Sequence, residues 1–431
     1  MSSCRLDGNN TLQFANKMKK TLLIASVLFA GTSLFAQTKK VLFLGNSYTA
    51  SSTLPSVVAG LANANGDTLI YDYNTPGGYT LQGHSTNATS LAKISAQQWD
   101  HVVLQEQSQR PSFPPGQVAT EVFPYALTLE NAIEANNPCT ETVYYMTWGR
   151  KYGDQTNCQF YPPLCTYEGM QMRLRDSYLQ MANDNESTCA PVGMAWRNSI
   201  MTDSTFELYS GDGSHPNANG FYLTACVFYA TMWRESPVGL NYYSSLSRVD
   251  AEYLQQIAHQ TVFDSLDVWR IGTNDVVAEF DTITVGNTFE VNFIDNSANA
   301  NSWYWDFGTG DTSTVQNPTY TFNNAGNYSI TLTANDGCTS SETTIQISFV
   351  ATSILEKENV KVNLFPNPTK DYINVDLING EEIMFELIDL NGKIVYSELI
   401  LSSKRIVISK FSKGTYLVRI NKNNTGKIIV Q

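Results

Sequence analysis

The chain has 431 residues, 42% of them hydrophobic and 12% aromatic, with a formal charge of −13. That length exceeds one ordinary core and suits roughly three domains, and the apolar content belongs to globular domains, not to a disordered chain. The acidic balance speaks against a nucleic-acid partner, because phosphates require cations to neutralise them.

Met18-Lys19-Lys20 is followed by an apolar run over 21–35 and then by Ala36-Gln37. A basic stretch, a short apolar segment and a small residue at its end read as an export signal, too short to span a bilayer. Residues 1–36 are therefore expected to be an N-terminal extension and signal peptide. Cys4 precedes the apolar run, which argues against a lipid-anchored cysteine. No later stretch approaches the roughly 18 apolar residues of a span, so the mature chain is expected to have no transmembrane segment.

From Lys39 to about Gly272 strand-like and helix-like segments alternate. Lys40–Leu44, His101–Leu104, Val143–Met146 and Val192–Ala195 are short apolar runs, predicted as buried parallel strands. Leu54–Asn65, Pro124–Ala135, Glu168–Asn183, Asn219–Arg234 and Ser247–Trp269 are predicted helices. This alternation implies a parallel sheet with helices on both faces, whose ligands bind beyond the carboxyl ends of the strands.

Polar clusters fall where that crevice would be. Gly45-Asn46-Ser47 follows the first strand, placing a hydroxyl in the crevice and a backbone N–H where an oxyanion would form. Thr75-Pro76-Gly77-Gly78-Tyr79-Thr80 follows the second strand, and its glycines let backbone N–H groups approach a ligand. Gln105-Glu106-Gln107-Ser108 follows the third. Asp212-Gly213-Ser214-His215-Pro216-Asn217 precedes the last helices. A neutral imidazole, with its ordinary pKa near 6.5, can take a hydroxyl proton, and a nearby carboxylate can hold its tautomer. Singly, the first and last clusters could be helix caps. Jointly, four clusters around one crevice point to nucleophilic catalysis with no metal or cofactor.

Gly45-Asn46-Ser47, Gly78-x-Thr80 and Asp212-x-x-His215 resemble, in order and spacing, the blocks of the SGNH (GDSL-like) hydrolases over about 39–272. The resemblance implies a three-layer, flavodoxin-like α/β domain with Ser47 as nucleophile, His215 as base and Asp212 orienting it. It also implies an oxyanion hole made by the N–H groups of Ser47 and Gly78 with a side-chain amide from the third block. There the usual Gly-x-Asn-Asp is replaced. Similarity to the Gln-Gly-Glu-Ser of carbohydrate acetylesterases makes Gln105 the donor, whereas direct alignment makes it Gln107. The implied activity is that of a serine esterase. Polar and aromatic loops near the site favour short acyl groups on a polysaccharide as substrate. A catalytically silent glycan-binding protein and a lipid esterase are the competing readings. His84 is expected to be a solvated loop histidine, and His101 and His259 structural. Trp148, Arg150, Arg110 and Trp196 could floor a sugar site or simply pack in the core.

Export makes disulfides the natural reading of the six cysteines beyond the signal. Cys139 and Cys189 precede the predicted strands Thr142–Trp148 and Pro191–Trp196, which would bring them together. Cys158 and Cys165 bracket a short loop and could close it. Cys226 is expected to be a buried thiol, and Cys338 has no partner in its own domain.

Beyond Gly272 the pattern becomes period-2. Thr288–Ile294, Ser302–Phe307, Asn317–Phe322, Asn327–Ala334 and Thr343–Phe349 are predicted strands of a small β-sandwich. Trp303-Tyr304-Trp305-Asp306-Phe307-Gly308 with Asn317-Pro318-Thr319-Tyr320 and Ala325-Gly326-Asn327-Tyr328 resembles a PKD (Ig-like) domain over 276–350. The polar stretch 351–360 is a linker. Residues 361–431 resemble, through Leu364-Phe365-Pro366-Asn367-Pro368, Asp389-Leu390-Asn391-Gly392-Lys393 and Lys413-Gly414-Thr415-Tyr416, the C-terminal sorting domain of the Bacteroidetes type IX secretion pathway. That resemblance implies a small β-sandwich whose partner is the outer-membrane secretion machinery. The hydrolase domain itself is assigned to 37–272.

Overall fold

The computed structural model describes residues 36–49, 53–285, 288–350, 362–378 and 382–431. The export signal lies outside the described residues. The chain forms two compact units, one running to Val350 and one after it.

The first unit begins with a parallel sheet of β1 (Thr38–Leu44), β2 (Thr68–Asn74), β3 (His101–Leu104), β4 (Glu141–Tyr145) and β5 (Thr188–Ala190), in the order β2-β1-β3-β4-β5. Val41–Leu44 and all of β3 are buried, as strands covered on both faces require. Nine helices accompany the strands among the described residues: α1 (Thr53–Ala64), α2 (Leu81–Thr86), α3 (Ala88–Ile94), α4 (Pro115–Glu121), α5 (Phe123–Asn136), α6 (Tyr167–Asp184), α7 (Val192–Thr202), α8 (Ala218–Trp233) and α9 (Arg248–Phe263). Helix α8 is apolar all round and buried from Tyr222 to Trp233, the mark of a central helix. Helices α1, α7 and α9 pack on it. The strand order is the doubly wound, flavodoxin-like one, so the α/β class predicted from the alternation is the class observed. Its switch point falls between β1 and β3. The loops leaving these two strands therefore flank the crevice.

Val192–Ala195, predicted as a strand, opens α7 instead. The strand is the three-residue β5 just upstream, ended by Pro191. The buried Val192, Ala195, Trp196 and Ser199 recur at helical spacing, which a four-residue apolar run is too short to reveal. The predicted helix Ser247–Trp269 stops at Phe263 and continues as a 3-10 turn over Leu266–Trp269.

The sandwich follows, with sheets β10-β7-β6 and β12-β11-β8-β9 built from β6 (Phe280–Thr284), β7 (Glu290–Asp295), β8 (Ser302–Asp306), β9 (Thr312–Ser313), β10 (Thr319–Thr321), β11 (Gly326–Asn335) and β12 (Ser340–Phe349). Its core centres on Trp305, fully buried against Phe280 and Phe293. The second unit is also all-β. Its sheets are β13-β14-β17 and β16-β15-β18-β19, formed by β13 (Val362–Phe365), β14 (Tyr372–Leu377), β15 (Ile383–Ile388), β16 (Ile394–Ile400), β17 (Lys404–Val407), β18 (Gly414–Ile420) and β19 (Asn423–Val430).

Two disulfides are present among the described residues. Cys158–Cys165 closes its loop as expected. Cys139, however, pairs with Cys338 across 199 residues, not with Cys189. Cys189 is the middle residue of β5, with its side chain in the core, whereas Cys139 lies in an exposed turn ahead of β4. That turn meets the β11–β12 turn of the sandwich. Cys226 is a buried free thiol.

Candidate active site

The β1–α1 turn is held from beneath by Gln105. Its Oε1 accepts from the Asn46 backbone N–H at 3.0 Å and from the Thr49 hydroxyl at 2.9 Å. Its Nε2 donates to Asn46 Oδ1 at 2.7 Å and to the Glu106 carbonyl at 2.8 Å. A side chain at Gly45 would collide with this amide, since a Cβ there would sit 2.6 Å from Gln105 Oε1. Asn46 in turn donates from Nδ2 to the Tyr79 carbonyl at 2.9 Å, which joins the turns after β1 and β2.

On this platform Ser47 Oγ lies 2.9 Å from His215 Nε2, and His215 Nδ1 lies 2.6 Å from Asp212 Oδ2. The other Asp212 oxygen accepts from the backbone N–H groups of Ser214 and His215, both at 2.9 Å. The His215 hydrogen bond, then these backbone donors, hold the Asp212 carboxyl down at about 2. The structure thus brings the three residues into one hydrogen-bonded series, although they come from two loops 168 residues apart. A short hairpin carries the histidine: Ser210 N–H donates to the His215 carbonyl at 2.7 Å, and Asn217 caps α8. The series is open to solvent, His215 and Asp212 being about half exposed.

Two aromatic residues clamp the site: Tyr48, which sequence reasoning left out, and Trp148, which it weighed as a sugar floor or a core residue. Tyr48 stacks on Trp148, meets His215 edge-on and bonds Ser214 Oγ, while the Trp148 indole N–H donates to the Ser214 carbonyl. Tyr48 adjoins Ser47 in the sequence, but nothing in its spacing marks which ring it faces.

Gly78 has a φ of +67°, with open space where a Cβ would be. Among the described residues no acceptor takes the backbone N–H of Ser47 or Gly78. Thr80 caps α2 by accepting from Gly83 N–H at 2.9 Å.

The third block corrects one expectation. Gln105 is fully buried with both amide hydrogens engaged, so it braces the serine turn and presents no donor to the crevice. Gln107 is half-buried, and both it and Ser47 stand third beyond the paired strand ends Leu44 and Leu104. Glu106 between them is buried. It accepts from the N–H groups of Leu81 at 3.1 Å and Gln107 at 2.6 Å, and burial pushes its carboxyl up to about 7.

His84 is not a solvated histidine. It is fully buried, with Nε2 2.9 Å from the Gly45 carbonyl and Nδ1 2.8 Å from Ser90 Oγ, and burial lowers its pKa to about 4. Trp148 and Trp196 are also fully buried and stacked at 3.9 Å, so neither floors a sugar site. Arg110 and Arg150 keep partial exposure near Glu121 and Asp154. His101 is buried 3.2 Å from Glu141, and His259 packs on Phe263.

Residues 271–350 match the PKD domain family, and residues 363–431 match the secretion system C-terminal sorting domain family. The pre-pro-metalloprotease PrtV of Vibrio cholerae is 37% identical over 81 residues, which are 19% of this chain and only 8% of that protein. Among solved structures, a DUF4886 family protein from Bacteroides uniformis shares 19% identity, covering 52% of this chain and 95% of that one, with a TM-score of 0.46. A candidate SGNH hydrolase from Slackia heliotrinireducens shares 28% identity over 45% of this chain and 99% of that one, with a TM-score of 0.38. An acetyl xylan esterase from Geobacillus stearothermophilus shares 16% identity over 49% and 99%, with a TM-score of 0.35. The chain thus joins an α/β domain to segments that match the PKD and sorting-domain families. The sorting domain indicates export across the outer membrane, to a secreted or surface location. Among the described residues no helix is long and apolar enough to cross a membrane.

Proposed function

We propose that this chain is an exported serine esterase of the SGNH type that removes short acyl groups, acetate foremost, from carbohydrate. The series Ser47–His215–Asp212, at 2.9 and 2.6 Å, is the observation that carries the reading. His215 Nε2 takes the hydroxyl proton as Ser47 Oγ attacks the ester carbonyl. Asp212, ionised and fixed by two backbone donors, keeps the imidazole proton on Nδ1 and stabilises the imidazolium. The N–H groups of Ser47 and Gly78 and the Gln107 amide receive the oxyanion. The alcohol departs with the proton from His215, and water activated by the same imidazole releases the acid.

The mouth of the site supports a carbohydrate over a lipid. A lipase requires a broad apolar surface, whereas the segments 74–84 and 105–111 are mainly polar. The exposed ring of Tyr152, beside Gly213 of the histidine loop, is a face on which a sugar can stack. The deciding experiment treats the purified protein with a fluorophosphonate and compares wild type with Ser47→Ala. Labelling should be confined to wild type, with p-nitrophenyl acetate cleaved faster than C8 esters and acetate released from acetylated xylan. Preference for the long esters would make it a lipid esterase. Sugar binding without labelling would make it a silent glycan-binding protein.

A further inference from the structure

The Gln107 side chain is folded back onto Gln109. Gln107 Oε1 accepts from the Gln109 backbone N–H at 2.9 Å, and Gln107 Nε2 donates to Gln109 Oε1 at 3.1 Å. Gln109 Nε2 then donates to Asp154 Oδ2 at 2.7 Å. Asp154 has no solvent exposure and belongs to a different loop, the one after β4 that also carries the Cys158–Cys165 bridge. It also accepts from Asn157 Nδ2 at 2.6 Å and from the Thr156 N–H at 3.2 Å, with the Arg150 guanidinium 3.6 Å away. Its own N–H donates to the Leu164 carbonyl at 2.7 Å, which pins the loop's two arms together.

A fully buried carboxylate is costly unless it is paired and hydrogen-bonded, and Asp154 has Gln109, Asn157, Thr156 and Arg150 around it. Its contact with Gln109 also has a direction. An amide can turn over and exchange its donor and acceptor ends, but an ionised carboxylate only accepts. Asp154 therefore forces the NH2 of Gln109 toward itself and the Gln109 oxygen toward Gln107. That oxygen captures one Gln107 amide hydrogen and fixes the plane of the group. The second hydrogen meets only the Ser108 hydroxyl, at 3.4 Å, and remains available to a stronger acceptor. Burial alone would favour neutral Asp154, but the donors Asn157 and Gln109 and the charge of Arg150 outweigh it and hold the carboxyl below its ordinary range.

We infer that Asp154 is a positioning residue for the proposed reaction: acting through the Gln109 side chain, and beside the Gln109 backbone N–H that takes the Gln107 oxygen, it holds the Gln107 amide in the plane that leaves one N–H for the oxyanion. The inference rests on the serine-esterase reading above, with Gln107 as the third donor. It also gives the loop after β4 a part in the chemistry, because that loop places the carboxylate.

The test measures kcat and KM for p-nitrophenyl acetate, together with the unfolding midpoint, in full-length Gln107→Ala, Gln109→Leu, Asp154→Asn and the double variant Gln107→Ala/Gln109→Leu. Gln107→Ala should lower kcat on the order of 10²-fold with KM nearly unchanged. Gln109→Leu and Asp154→Asn should each cost roughly tenfold in kcat, a part of the same term. The double variant should lose no more than Gln107→Ala alone, since residues acting in series are not additive. A purely structural role would lower the midpoint and leave the losses independent. Multiplying losses, or relay variants within about twofold of wild type, overturn the inference. If Asp154→Asn fails to fold, Gln109→Leu decides, because Gln109 lies outside the disulfide loop. Wild type that resists fluorophosphonate labelling refutes the esterase reading itself. Labelled wild type with unaffected relay variants refutes only the relay.

Discussion

Tyr48 lies flat on Trp148, with ring centroids 4.6 Å apart and planes 2° from parallel. The same phenol meets the His215 ring at 5.3 Å and 74°, and reaches Ser214 Oγ at 2.6 Å. Trp148 donates to the Ser214 carbonyl at 2.9 Å and is backed by Trp196. One aromatic stack therefore sets the distance between the serine turn and the histidine loop. Tyr48→Phe keeps the stack and loses one hydrogen bond, so it should cost about 1 kcal/mol of stability and little activity. Tyr48→Leu removes the stack and should cost about 2–4 kcal/mol and at least tenfold in kcat. Unfolding midpoints and acetate-ester kinetics check both, and a fully active Tyr48→Leu would show that the stack does not position the base.

Asp212→Asn keeps the shape of the turn but exchanges an obligate acceptor for a group that can donate. The imidazole can then carry its proton on the wrong nitrogen, and kcat should fall on the order of 10²-fold or more. Fluorophosphonate labelling should slow in parallel. Unchanged labelling kinetics would remove Asp212 from the mechanism.

His84 couples stability to pH. Its folded pKa of about 4 lies below the ordinary histidine value of about 6.5, so on acidification the unfolded chain takes up the proton first. The stability that His84 contributes should be complete above about pH 6.5 and decline as the pH falls toward 4, by on the order of 2 kcal/mol at pH 5. Glu106, raised to about 7 by burial, acts in the opposite sense, and its contribution fades as the pH rises through 7. Between about pH 4.5 and 6.5 the two contributions nearly cancel, so net stability should be almost flat there and fall only as the pH rises toward 7. Urea unfolding from pH 4.5 to 8 checks this, and in His84→Gln stability should instead rise as the pH falls from about 7 toward 4.5. A pH dependence unchanged in that variant would assign it to other groups.

Removing residues 361–431 should leave ester hydrolysis intact, because the last strands form a separate compact unit. The shortened protein should accumulate inside the cell envelope. Fractionation with an activity assay checks both halves, and normal export of the truncated chain would contradict the sorting role.

The sequence made legible what depends on pattern. The apolar run before Gly45 and the turn signals flanking it located β1 and Ser47, and Asp212-x-x-His215 was visible because the turn is local. What escaped it depends on partners distant in the chain. Gln105 and Gln107 are two residues apart and chemically identical, yet one points under the serine turn and the other along the crevice. Strand alternation would give both the same face, so only the folded turn beyond β3, seen against β1, separates them. Trp148, at the end of a strand, could floor a sugar site or pack in the core, and Trp196 and Tyr48 on either side of it place it in the core. Cys189 was misassigned because β5 is only three residues long and its apolar signal runs on into α7.

The Cys139–Cys338 bridge closes residues 139–338, which run from the α/β domain into the sandwich, into one covalent ring. A protease that cuts once anywhere between these two cysteines, the interdomain segment near Gly272 included, yields fragments that remain joined until a reductant is added. For an exported chain, a nick that would shed an ordinary spacer domain would leave this one attached, and the damage would show only on a reducing gel.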